Sequence, residues 1–177
     1  LDQHGSKLVA AEDVTGAITN TEGIDAEKLT RYVKENGGVY GFPGTSPIDH
    51  EAFLSTKADI FIPAALENQI TGRTASLLNV KLVAEGANGP TDTYGDILMR
   101  KQGIDVLPDI LANSGGVVVS YFEWLQNKRS EYWELDEVDT KLHKKIVSAY
   151  RRVSRTAEQY DVDWRTASYI VALRRLE

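Results

Sequence analysis

The sequence predicts an α/β fold, a mostly parallel sheet followed by C-terminal helices, and three observations predict it. Short apolar runs at residues 7–13, 59–63, 80–84 and 104–107 alternate with stretches of helical character, the rhythm that βαβ crossovers produce. The run at 59–63 is apolar enough for a strand of a buried parallel sheet. Beyond residue 113 this rhythm gives way to long amphipathic periodicity, which requires helices.

Each element has its own signal. Residues 7–13 (KLVAAED) read as a strand closed by acids, and residues 14–23 as a turn-rich stretch. Asp25 is a good N-cap for a helix through about Asn36, stopped by Gly37-Gly38, with Leu29, Tyr32 and Val33 as its buried stripe. Residues 41–47 (GFPGTSP) form a loop, and residues 59–63 (DIFIP) a strand. Residues 71–78 read as a short helix, 80–84 (VKLVA) as a strand, 92–102 as a helix stopped by Gly103, and 104–107 (IDVL) as a strand closed by Pro108. Helices follow over residues 117–127, 135–160 and 164–176. The longest carries Val138, Leu142, Ile146, Ala149, Val153 and Ala157 on one stripe.

Composition narrows the classes. Apolar residues make up 42% and charged residues 26% of 177, ordinary for a globular domain with a core of its own. With no cysteine, disulfides and thiolate chemistry are excluded. No apolar run reaches the ~18 residues a membrane span needs, so no membrane partner is expected. The net charge of −6 argues against nucleic acid as a partner. Lys141, Lys144, Lys145, Arg151, Arg152, Arg155, Arg165, Arg174 and Arg175 crowd the last third and are expected on solvated helix faces. The three histidines, His4, His50 and His143, lie far apart in sequence, so neither a metal site nor a nucleophile triad is expected.

In an open parallel sheet, ligands bind beyond the carboxyl ends of the strands. Four segments lie there. Asp13 follows the first strand; an acid in that place accepts hydrogen bonds from a ribose and repels a 2′-phosphate, although a strand end turning into water reads the same way. Ala64, Ala65 and Gln69 follow the second; small residues admit a flat ligand to the backbone, and an ordinary helix start would look alike. The third strand leads into EGANGPT, a stiff turn that presents Asn88, whose side chain both donates and accepts. Pro108 to Gly116 follow the fourth, where the first N–H groups of a new helix are expected to lack partners and to face the cleft. Ser120 lies one to two turns farther on, placed either for a carboxylate or for bonding back to its own helix.

A pyrophosphate needs bare glycine backbone at a helix N-terminus, and no Gly-x-Gly-x-x-Gly follows any strand. The ribose-binding acid normally lies ~20 residues past that loop, whereas Asp13 has twelve residues before it. The loop is therefore expected upstream of Leu1, with the first βα unit missing and the chain being a piece of a longer one.

The strings GFPG (41–44), KLVAEGANGPT (81–91) and PDILANSGGVVVSYFEW (108–124) closely resemble hexameric glutamate dehydrogenases of the glutamate/leucine/phenylalanine/valine dehydrogenase family. The resemblance runs in order over nearly the whole chain and is most specific in the last string. It implies a partial Rossmann-type domain over residues 1–112 and connecting and C-terminal helices over 113–177. The parent it implies is a cytoplasmic homo-hexamer that oxidatively deaminates L-glutamate to 2-oxoglutarate and ammonium with NAD, or NADP. By the resemblance, Asp13 holds the adenosine ribose; Ala64, Ala65 and Gln69 line the adenosine and pyrophosphate path; Asn88 and Asn113 lie on the nicotinamide side; and Val117 and Ser120 touch the substrate. The catalytic groups and the substrate-binding lysines belong to an N-terminal substrate domain outside this sequence, so no catalytic residue is assigned here and the isolated chain is expected to be inactive. A leucine, phenylalanine or valine dehydrogenase domain, or a non-catalytic nucleotide-binding or assembly module, would share the architecture.

Overall fold

The computed structural model of the chain describes residues 4–176. Two strands and a helix come first: β1 (Leu8–Asp13), β2 (Gly16–Ile24) and α1 (Ala26–Asn36). They are followed by β3 (Ser46–Ile48), α2 (His50–Leu54), β4 (Ile60–Phe61) and a one-turn 3₁₀ helix (Thr74–Leu77). The chain continues through β5 (Leu82–Ala84), α3 (Thr93–Lys101), β6 (Asp105–Leu107) and α4 (Asp109–Ala112), and ends with α5 (Gly115–Arg129), α6 (Leu135–Tyr160) and α7 (Trp164–Leu173).

The parallel crossover pattern is realised in β4, β5 and β6. Ile60 and Phe61 pair with Leu82 and Val83, and residues 82–84 pair with 105–107, all parallel. Connections long enough to cross back over the sheet make this possible. Val83, Met99, Ile70, Ala75 and Ile104 form the core behind this sheet. Val83 sits on the central strand and Met99 on α3, and both are fully buried.

The first half differs from expectation. β1, β2 and β3 form a separate antiparallel sheet with β2 in the centre. Residues 14–23, expected to be turns, supply most of β2. Their Gly, Thr and Asn content hides a strand whose identity comes from pairing on both edges, a contextual effect that outweighs residue preference. The connection between β1 and β2 is reduced to Val14 and Thr15, because Asp13 pairs with Gly16. Two further elements escaped the sequence: α2, five residues capped by the Asp49 side chain on Ala52 N at 2.7 Å, and β3, which begins inside the expected loop. The helix expected over 71–78 is only the 3₁₀ turn, tied by Thr74 Oγ1 to the Gln69 carbonyl at 2.8 Å. The last helix stops at Leu173 rather than at residue 176.

Other boundaries match their local causes. Asp25 accepts from Lys28 N, and Gly37 closes α1 in the left-handed region at φ 84°, which glycine enters without a side-chain penalty. Helix α6 spans Leu135–Tyr160 and packs the C-terminal part of its stripe, Val153 and Ala157, with Leu111 of α4 and Ala167 of α7. Among the described residues, no helix is long and apolar enough to cross a membrane.

Candidate functional site

The loops beyond the carboxyl ends of β4, β5 and β6 are sewn to one another. Gly86 N and Ala87 N both donate to the Pro63 carbonyl, at 3.1 and 2.9 Å. Asn68 N donates to the Gly89 carbonyl at 2.9 Å, and Ile70 N to the Pro90 carbonyl at 2.8 Å. Asn68 itself sits at φ 54°, a conformation asparagine tolerates better than most residues. The close approach of loops 63–70 and 85–91 needs small residues: a Cβ on Gly86 would stand 3.1 Å from the Ala64 Cβ.

Between these loops and the start of α5 lies an open cleft of about 770 Å³, lined by Ala65, Leu66, Gly86, Asn88, Asn113 and Val117 among others. A cleft of this size accommodates a small molecule or part of a dinucleotide. Of the residues singled out in the sequence, it brings together Ala65, Asn88, Asn113 and Val117. Ala64 adjoins it through the Gly86 contact, and Gln69 is half-buried and does not line it. Ser120 is exposed on α5 and makes no side-chain hydrogen bond among the described residues. Asp13 belongs to the other sheet.

Asn113 is the hub of the cleft floor. Its Nδ2 donates to Asn88 Oδ1 at 2.7 Å and lies 3.3 and 3.4 Å from the Ala87 and Gly86 carbonyls. That leaves the Asn88 amide N–H₂ and the Asn113 carbonyl oxygen without protein partners among the described residues, a donor and an acceptor side by side. Such a pair complements a carboxamide or a hydroxyl pair.

The helix after β6 is capped from within the protein. Asp109 N donates to Glu85 Oε2 at 2.8 Å and Ile110 N to Asp109 Oδ1 at 2.7 Å, so the first N–H groups of α4 are taken within the protein. Sequence reasoning missed the reason. Glu85, fully buried at 0% exposure, sends its other oxygen to Arg165 Nη2 at 2.6 Å. Arg165 also lies 3.2 Å from Asp96 Oδ1 through Nε and 3.4 Å from Asp109 Oδ1 through Nη1. The expectation of a solvated Arg165 is therefore corrected: it gathers three carboxylates from three elements. Burial works against its charge, but the hydrogen bond and charge of Glu85, followed by those of Asp96, more than reverse this and hold its pKa above the ordinary value. An acid placed directly after the buried run LVA was the available signal, since a charge there requires a partner.

Asp13 ends β1 in a turn of its own. Oδ1 accepts from Thr15 N at 2.8 Å and Thr15 Oγ1 at 2.5 Å, and Oδ2 accepts from Val39 N at 2.9 Å. Partial burial raises its pKa, but these hydrogen bonds outweigh the burial and leave the carboxyl below its ordinary value. Beside it, Glu12 binds His50 Nδ1 at 2.9 Å, which ties β1 to α2. The described residues contain no group of three His, Cys, Asp or Glu able to hold a metal ion.

This arrangement has known counterparts. The profile of the Glutamate/Leucine/Phenylalanine/Valine dehydrogenase family matches residues 1–177. The chain belongs to this family. A glutamate dehydrogenase from Thermotoga maritima is 48% identical over 172 residues, which are 97% of this chain and 41% of that protein. An NAD-specific glutamate dehydrogenase from Peptoniphilus asaccharolyticus is 44% identical over 91% of this chain and 38% of its own length. The fold superposes with TM-score 0.91, at 25% identity, on the hetero-hexameric glutamate dehydrogenase of Thermus thermophilus in a Leu-bound form, covering 99% of this chain and 41% of that one. The chain thus spans about two-fifths of the length of these relatives.

Proposed function

We propose that the chain is the nucleotide-binding portion of an NAD(P)-dependent glutamate dehydrogenase whose parent converts L-glutamate to 2-oxoglutarate and ammonium. The observation that carries this reading is the Asn88–Asn113 pair in the cleft, which holds a donor and an acceptor ready for a carboxamide or ribose. When bound, the nicotinamide supplies hydride acceptance, and the protein supplies position and electrostatics. Asn88 and Asn113 would orient the nicotinamide side, and Ala64, Ala65 and Gln69 would line the path towards the adenosine. Asp13 would hold the adenosine ribose, and its charge disfavours a 2′-phosphate. Val14 beside it offers no side-chain donor to a phosphate, and the relative from Peptoniphilus asaccharolyticus is named NAD-specific; both favour NAD over NADP.

Val117, 70% exposed at the cleft, and Ser120 would meet the substrate. Glutamate is preferred to leucine, phenylalanine or valine because both curated relatives carry the name glutamate dehydrogenase. Residues 1–112 form the partial Rossmann-type domain in this reading, and 113–177 the connecting and C-terminal helices. Helix α5 supports a larger parent: it buries only Phe122 and exposes Val117, Tyr121 and Trp124, an apolar surface that a further domain would cover. The parent is read as a cytoplasmic homo-hexamer.

Initial rates of the full-length protein with glutamate, leucine, phenylalanine and valine, each with NAD and NADP, test the reading. Glutamate with NAD is expected to give the highest kcat/KM; a preference for a branched or aromatic substrate would overturn the assignment. The isolated chain is expected to show no glutamate-dependent NADH formation. It is also expected to bind NADH weakly, and submicromolar binding by nicotinamide fluorescence would show that the phosphate grip is not missing.

A further inference from the structure

We propose that Arg165 is a positioning residue for the nicotinamide cofactor, acting from α7 through the two carboxylates that hold the Asn88 loop. This inference rests on the cofactor reading above. Glu85 and Asp109 each divide their oxygens between Arg165 and a backbone N–H of the site. Glu85 reaches Arg165 with Oε1 at 2.6 Å and Asp109 N with Oε2 at 2.8 Å. Asp109 reaches Arg165 with Oδ1 at 3.4 Å and Gly89 N with Oδ2 at 2.8 Å.

The loop from Gly86 to Gly89 is therefore fixed at its far end by Asp109. On its inner side it is fixed by Asn113, which follows directly on the helix that Glu85 caps. Two carboxylates in such proximity repel each other unless a cation lies between them. Only a planar fork reaches both while also taking Asp96, which a lysine ammonium does not do. Among the described residues, the remaining ion pairs lack this connection. Arg73–Glu51 and Lys81–Asp59 are exposed pairs away from the cleft. Arg100 joins the same network through Asp96 and Asp163 but touches neither Glu85 nor Asp109. Arg100 thus separates a structural ion pair from a positioning one.

The test compares R165M, R165K and R100M in the full-length enzyme, reading KM for NAD, KM for glutamate, kcat, direct NADH binding and melting temperature. R165M is expected to raise the cofactor KM and the NADH Kd about tenfold while changing the glutamate KM less than about threefold. R165K, which keeps the charge but loses the fork, is expected to fall between, at roughly threefold. R100M is expected to lower the melting temperature while leaving both KM values near wild type. If R165M does not fold, R165K carries the test. A cofactor KM unchanged in every Arg165 variant that folds, or raised equally by R100M, overturns the proposal. A wild-type protein that neither binds nor uses a nicotinamide cofactor overturns the functional reading and this role with it. A wild type that binds cofactor beside an unaffected Arg165 variant overturns this role alone.

Discussion

Asn113 donates its side-chain amide to Asn88 across 2.7 Å, joining the end of α4 to the loop that follows β5. The bond fixes which polar atoms of both residues face the cleft. Replacing Asn113 with Ala removes it together with the longer contacts to the Gly86 and Ala87 carbonyls. Because the pair is partly exposed, the loss is that of one ordinary hydrogen bond, about 1 kcal/mol. In the full-length enzyme N113A is expected to weaken NADH binding about fivefold and to lower the melting temperature by roughly 2 °C. Fluorescence titration beside a thermal melt checks both, and an unchanged Kd would remove Asn113 from the cofactor site.

Gly95, in the first turn of α3, lies against the backbone that carries loop 63–70. A Cβ there would stand 2.6 Å from the Ile70 carbonyl oxygen and 3.0 Å from its carbon. The same oxygen accepts from Asp92 N at 2.9 Å, so the chain has no room to move aside without losing that bond. Overpacking of this kind costs roughly 1–3 kcal/mol. G95A is expected to shift the urea midpoint down by a corresponding amount with an unchanged m-value. A midpoint equal to wild type would show that α3 can slide away from Ile70.

The parts of the fold that were legible in the sequence are those with local causes. Asp25 caps α1 with the side-chain bond that its residue type favours, and the apolar stripe of α6 needs no knowledge of its partner. β2 was not legible, since it becomes a strand only because β1 and β3 flank it. In the cleft, Asn88 stood out through the glycines around it, and Asn113 only through the family resemblance. Arg165 did not: it lies 80 residues from Glu85, and nothing in its own segment distinguishes a guanidinium facing three carboxylates from one facing water.

Asp163 gives the docking of α7 a pH dependence. It accepts from Thr166 N at 2.9 Å and Thr166 Oγ1 at 2.7 Å, and it pairs with Arg100 at 2.9 Å. Burial raises its pKa, but the Thr166 bonds and the charge of Arg100 prevail and leave it below 3.8. A carboxyl depressed in the folded state contributes stability that is fully present above its unfolded value and is lost as pH falls through the folded one. D163A is therefore expected to destabilise the protein by about 1 kcal/mol at pH 7, and the gap from wild type is expected to close at pH below the folded pKa. Denaturation midpoints of both proteins across the acid range check this. A gap that stays constant with pH would mean that the cap works without its charge.

Asp13 carries two tasks that a pair of substitutions separates. Its carboxylate organises the turn between β1 and β2 through Thr15 and reaches Val39 N beyond α1. In the proposed function, the same negative charge keeps a 2′-phosphate from the ribose. D13N keeps an oxygen for Thr15 and removes the charge, whereas D13A removes both. D13N is expected to lower stability by about 1 kcal/mol, because a neutral amide replaces the carboxylate and its N–H₂ leaves Val39 N without an acceptor. It is also expected to raise kcat/KM for NADP relative to NAD about tenfold in the full-length enzyme, the effect of removing one repulsive charge of about 1.4 kcal/mol. D13A is expected to shift the ratio equally but to lower the melting temperature further, because Thr15 N loses its acceptor as well. If D13N leaves the NADP/NAD ratio unchanged while D13A destabilises, Asp13 serves the turn alone. Discrimination between the two cofactors would then lie with other residues of the β1–β2 hairpin.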